Sequence, residues 1–227
     1  MKKFWILILS VLIILPVAGC EKKISDAKKF KEEYESLNGE VIYGSEVRSI
    51  NIDKKNPFIY KEVSDIVSMI KNNETFIVYF GFAKCPWCRS VLPNLIKAAK
   101  DTGIDKIYYV DVLDIRDTMD IDDVGNAYKK KDADSSYYEL LNLLDNVLAD
   151  YTLTKDGKEY KMGEKRIYAP NVVAIKDGEA VSMTTGVSDL QTDSHMDLTD
   201  EMNNESYNKF VKVLNEINGT MCTKEGC

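Results

Sequence analysis

Two cysteines three positions apart stand where one hydrophobic pattern gives way to another. The run "TFIVYFGF", Thr75 to Phe82, is almost wholly apolar and rich in aromatic and β-branched residues. That composition suits a central strand covered on both faces. Beyond "AKCPWC" the pattern changes, and Val91, Leu92, Leu95, Ile96 and Ala99 recur at helical spacing until Gly103. A buried strand that feeds a helix directly demands a sheet with helices against it. It also places Cys85 at the helix N-cap and Pro86 at the first helical position, where a missing N–H costs nothing. The pair at Cys85 and Cys88 is then a redox dithiol, half of a metal site or a structural clip. The compartment helps to decide among these.

The N-terminus reads "MKKFWILILSVLIILPVAGC". Lys2 and Lys3 precede an apolar stretch that closes on small residues, the layout of an export signal. A membrane span needs about 20 apolar residues, and this run stops at Pro16 and Gly19. "VAGC" resembles the lipobox of bacterial lipoprotein signal peptides, with Val17 where Leu is usual. The resemblance implies cleavage before Cys20 and lipid on its sulfur. The alternative is a plain secretory signal with a chance cysteine. The expected organisation is a signal peptide over 1–19 and a lipid-anchored linker or helix over 20–40. A domain over 41–218 follows, with an insertion at about 115–165, and then a cysteine-containing tail over 219–227. The mature chain is expected on the extracytoplasmic face of a bacterial cell membrane, held there by its lipid. Without Lys2 and Lys3 it carries 28 basic against 37 acidic residues, which argues against nucleic-acid partners.

Outside the cytoplasm, cysteines are free to form disulfides. With Cys20 lipidated, four remain, and spacing favours Cys85 with Cys88 and Cys222 with Cys227. The latter pair reads as a structural disulfide pinning the tail; a second redox pair relaying electrons to Cys88 is the sharper alternative. Haem attachment needs a His after the second cysteine, and Arg89 stands there. A zinc site would need two further ligands from Cys222, Cys227 and His195, without recognisable ligand spacing. No metal and no cofactor beyond the Cys85–Cys88 disulfide is expected. His195, in "QTDSHMD", reads as a solvated loop residue.

Along the chain, Ile24 to Leu37 reads as a polar amphipathic helix that either packs on the domain or spaces it from the membrane. "VIYGSEVRSINI", Val41 to Ile52, reads as a first strand. Val63, Ile66, Val67 and Ile70 share a helical face, and "IDKIYYVDVLD" is a second buried-type strand. In the insertion, Ser136 and Glu139 form a capping-box pattern ahead of a helix lined by Tyr137, Leu140, Leu141, Leu144, Val147 and Leu148. "YKKKDADSS", from Tyr128, reads as a solvated helix end. "YTLTKDGKEYKM" reads as a hairpin turning at Asp156-Gly157. Strand, an Asp177-Gly178 turn, strand and a helix over roughly Asn203 to Ile217 close the chain. The fold class is α/β, a mixed central sheet flanked by helices, with a helical insertion.

The helix N-terminus, aided by Lys84 and Arg89, favours a thiolate at Cys85, and Cys88 lies one turn on. This segment resembles the active site of the thioredoxin superfamily. Pro93 stands eight residues after Cys85, where thioredoxins carry a helix-kinking proline, and "YAPNVVAIKDGE" resembles their cis-proline strand, with Ala169-Pro170 as the cis pair. "TTG" ending at Gly186 and the terminal helix continue the likeness, which covers about Val41 to Asp111 and Ile167 to Ile217. Within the superfamily the cysteine block looks most like transport-accessory-type proteins of Gram-positive bacteria. The resemblance implies a thiol–disulfide oxidoreductase acting on protein thiols and disulfides, with a membrane or extracytoplasmic redox partner. It implies Cys85 as nucleophile, Cys88 as resolving thiol, and Trp87, Ala169 and Pro170 against the substrate. Three departures stand out. Tyr79 occupies the place of the buried Asp that assists proton transfer in thioredoxins, and reads with Tyr109 as a core residue. The dipeptide is Pro-Trp rather than Gly-Pro, and the insertion is foreign to minimal thioredoxin. A second reading is a non-catalytic accessory module that binds an exported peptide or assists a transporter.

Overall fold

The computed structural model describes residues 24–42 and 44–221. The pattern around the cysteines resolves as expected. Strand β4 (Phe76–Gly81) is buried at every position and helix α3 (Pro86–Thr102) follows it at once. β4 lies at the centre of a five-stranded sheet with β3 (Phe58–Tyr60), β5 (Ile107–Asp111), β10 (Asn171–Lys176) and β11 (Glu179–Thr184). The order is β11-β10-β4-β5-β3. β3 and β4 run parallel to β5, whereas β10 is antiparallel to both β4 and β11.

Alternation along β4 divides the core. Ile77 and Tyr79 face α1 (Asp26–Glu35), α3 and α5 (Asp200–Met221). Phe76, Val78 and Phe80 face α2 (Val63–Lys71) and α4 (Ser135–Leu143). Both faces of the sheet are covered, which is why its central strands read as unbroken apolar runs. Among the described residues no helix is long and apolar enough to cross a membrane.

The helix before the domain packs into its core. Phe30 and Tyr34 of α1 are fully buried. Phe30 stacks on Phe58 at 4.0 Å between ring centroids and meets Tyr109 edge-on at 4.9 Å. Arg89 locks the end of α1 in place. It donates to the carbonyls of Tyr34 (2.9 Å), Ala83 (3.1 Å) and Arg48 (2.7 Å) and to Asn38 Oδ1 (2.6 Å). A buried guanidinium without a carboxylate is tolerable because so many of its N–H groups find oxygen.

Several expectations are corrected. Val41 to Ile52 is not a sheet strand: only β1 (Val41–Ile42) and β2 (Ser45–Glu46) pair, as a small hairpin. The edge strand is β3, beyond Asn56-Pro57, and its three residues are too few to show a period. The insertion is not simply helical. It holds two hairpins, β6 (Thr118–Ile121) with β7 (Ala127–Lys131), and β8 (Ala149–Lys155) with β9 (Lys158–Arg166), on either side of α4. "YKKK" from Tyr128 lies in β7, a strand exposed at all five positions. It buries no face, so it shows no alternation. The α4 N-cap is Asp134, which accepts from Ser136 N at 2.9 Å, and Glu139 pairs instead with Lys71 of α2. α4 ends at Leu143, although Leu144 and Leu148 remain buried. The hairpin at Asp156-Gly157 is present, with φ of 52° and 74° at its two turn residues. Both values lie where Gly and Asp are best tolerated.

Candidate active site

The end of β4 and the start of α3 place the dithiol just beyond the C-terminal end of the central strand. Cys85 is the N-cap of α3, and its Sγ accepts the Cys88 N–H at 3.2 Å. As a thiol, Cys85 donates to the Ala169 carbonyl at 3.3 Å. The Ala169-Pro170 bond is cis. Both cysteines are free thiols. Cys85 keeps 3% of its surface exposed and Cys88 none, so Cys85 is the sulfur a partner meets first.

The two thiols are pushed in opposite directions. The Cys88 side chain hydrogen-bonds the Cys85 sulfur and holds its pKa below the usual thiol value. The Cys88 and Trp87 amides and the Arg116 guanidinium act in the same sense, against burial. Burial drives the Cys88 thiol well above its usual value, and the neighbouring Cys85 adds to the rise. The first sulfur is thereby eased toward the thiolate and the second held as a proton-bearing thiol. This asymmetry is what stepwise thiol–disulfide exchange requires.

Of the other expected site residues, Trp87 is half-buried and its carbonyl accepts from Ser90 Oγ at 2.8 Å. Ala169 is half-buried and Pro170 buried. His195 is exposed and lines a cavity of about 120 Å³ with Pro86, Lys84 and Arg48. Pro93 lies inside α3 and is exposed. Cys20, Cys222 and Cys227 lie outside the described residues. Among the described residues no group of three His, Cys, Asp or Glu side chains could hold a metal.

The positive charge expected from Arg89 is committed to α1 and its neighbours. Arg116, at the start of the insertion, acts on the thiols instead, and its charge reaches both Cys85 and Cys88. It donates to the Ile167 carbonyl at 3.3 Å and lies over the Phe82 ring at 5.6 Å. Nothing local in "LDIRDT" marks Arg116, because the approach to Cys85 is made through tertiary contacts. Tyr79 also proves more than core filling. Its hydroxyl lies 3.2 Å from the Tyr34 hydroxyl, and its side chain favours the Cys88 thiolate against burial. Comparison with models of protein families, with curated proteins and with solved structures finds no match to this chain.

Proposed function

We propose that the protein is a thioredoxin-like thiol–disulfide oxidoreductase of the extracytoplasmic membrane face, anchored through lipid on Cys20 and acting on protein substrates. The observation that carries this reading is the asymmetric dithiol. A Cys85 sulfur held toward thiolate at a helix N-terminus stands beside a fully buried, protonated Cys88. The cis peptide at Ala169-Pro170 and the order of the central sheet are compatible with the thioredoxin-like assignment.

In the reducing direction, the Cys85 thiolate attacks a substrate disulfide. One substrate sulfur leaves and the other stays in a mixed disulfide with Cys85. Cys88 then attacks Cys85 Sγ, releasing the second substrate thiolate and closing the Cys85–Cys88 disulfide. The oxidising direction is the same path reversed, and the reduction potential of the pair selects between them. Trp87 and the loop at Ala169-Pro170 flank the attacking sulfur and would hold the substrate segment.

Replacing Cys88 with Ser in the native host tests the reading. Mixed disulfides that require Cys85 should accumulate on non-reducing gels. Their complete absence, together with a Cys85 that does not react with iodoacetamide, would support the accessory-module alternative.

A further inference from the structure

Behind Cys88 the interior is polar in an organised way. Tyr34, Tyr79 and Tyr109 are each fully buried, and they come from α1, β4 and β5. Phenylalanine would fill the same space without a hydroxyl to satisfy. Here each hydroxyl meets another polar group. The Tyr79 hydroxyl lies 3.2 Å from that of Tyr34, and the Tyr79 side chain favours the thiolate of Cys88. The Tyr34 ring meets that of Tyr109 edge-on, with centroids 6.2 Å apart. Tyr109 donates to Glu33 Oε1 at 3.1 Å. Glu33 is half-buried and borders a surface cavity of about 290 Å³ that it shares with Ser36, Lys84 and Asp111.

Gly81 is a second, independent mark of this arrangement. A Cβ at Gly81 would come within 2.5 Å of the Tyr79 hydroxyl. Residues 79 and 81 share a face of β4, and the Tyr79 ring leans over Gly81 toward the strand end where Cys88 sits. Only glycine leaves the hydroxyl room to do so.

We propose that Tyr79, Tyr34 and Tyr109 form a proton path between Cys88 and Glu33, with α1 supplying two of its four side chains. This rests on the oxidoreductase reading and gives the deprotonation of Cys88 a route. As the Cys88 sulfur bonds to Cys85 Sγ, the bond from Cys85 to the substrate sulfur breaks, and its electron pair leaves on that sulfur as a thiolate. The Cys88 proton passes to the Tyr79 oxygen. Tyr79 gives its own proton to Tyr34, Tyr34 to Tyr109, and Tyr109 to the Glu33 carboxylate, which releases it to solvent. Over the full reaction the dithiol loses two electrons and the substrate disulfide gains them. In the opposite direction the path returns a proton to Cys88 as its disulfide opens.

A hydroxyl both donates and accepts, so each tyrosine gives one proton and receives one without resting as an ion. Burial pushes all three phenols well above their ordinary value, which keeps them neutral between turnovers. The buried Arg89 guanidinium faces Tyr34 and Tyr79 and favours negative charge that develops there in passing.

The test uses the reduced full-length chain mixed with oxidised glutathione, quenched in acid, with the glutathione adduct at Cys85 followed by mass spectrometry. Adduct formation reports attack by Cys85, and adduct decay reports attack by Cys88. Tyr79→Phe should leave formation within about twofold of the native rate and slow decay about 100-fold, the low end of what positioned proton transfer contributes. Glu33→Gln should slow decay by about 10-fold, because solvent can replace a terminal acceptor, and Glu33→Asp should restore it. Native decay in both Tyr79→Phe and Glu33→Gln overturns the path while leaving the oxidoreductase reading intact. Equal slowing of both steps also overturns it, since that marks a structural role. Failure of the native chain to form any adduct overturns both readings. If Tyr79→Phe does not fold, Glu33→Gln, altered on a half-exposed helix face, decides alone.

Discussion

Two segments pack against the central five-stranded sheet and its dithiol, and they join it by opposite physics. α1 enters through aromatic burial: Phe30 and Tyr34 are fully enclosed among Phe58, Tyr79 and Tyr109. The insertion is fixed chiefly through α4, whose Tyr137 and Leu140 are buried against the α2 face. Its β7 strand is exposed throughout, and Val124 at the β6–β7 turn is 82% exposed. Their polar contributions to the site differ in the same way. α1 offers a neutral hydroxyl, that of Tyr34, from inside the core. The insertion offers one charge, Arg116, which acts on Cys85 as well as Cys88. Elements that enter a core can place uncharged groups with precision. An element laid over a site more cheaply supplies charge, because a field acts across a gap.

The largest break in this comparison should come from Phe30→Ala. Truncating a fully buried ring costs about 3–5 kcal/mol, measurable by urea denaturation. Cys88 should become open to alkylation as α1 loosens. A loss under about 1 kcal/mol, below the range for such truncations, would mean that α1 is a dispensable spacer. Leu140→Ala in α4 should cost about 2–4 kcal/mol, yet leave Cys88 protected, since α4 packs on the other face. Exposure of Cys88 in that variant would erase the distinction between the two segments.

Arg116→Met sharpens the electrostatic half. Iodoacetamide reacts with the thiolate, so the native Cys85 rate should rise with pH and level off below the ordinary thiol pKa. Removing a cation that favours the thiolate raises that midpoint. The variant should therefore react about threefold more slowly near neutrality and converge with the native chain at high pH, where both are thiolates. An unchanged profile would remove Arg116 from the site. The smallest effect is expected at Tyr128→Ala in β7, within about 0.5 kcal/mol of native stability and without influence on either thiol. A larger loss would show that the hairpin is integral to the fold.

Local pattern carried much of the architecture. β4, α2, α3, β5, the β10–β11 hairpin and the Asp156-Gly157 turn each announce themselves within a dozen residues. Where local pattern fell short, burial was one-sided, absent or very short. β3 has three residues, and β7 buries nothing. The α4 cap is ambiguous in sequence because Asp134 and Ser136 are both good capping residues, and Glu139 spends its charge on Lys71.

The same boundary runs through the candidate site. Cys85, Pro86 and Cys88 lie within four residues at a strand-to-helix junction, so covalent connection alone places them together, and that half is legible in the chain. The other half belongs to the tertiary structure. Tyr34, Tyr79 and Tyr109 are 45 and 30 residues apart, and Arg116 is 31 residues beyond Cys85. No period or spacing links residues at such distances. Only packing of α1 against the sheet decides that three phenols line up behind Cys88. Only the path of the chain after β5 decides that a guanidinium acts on Cys85.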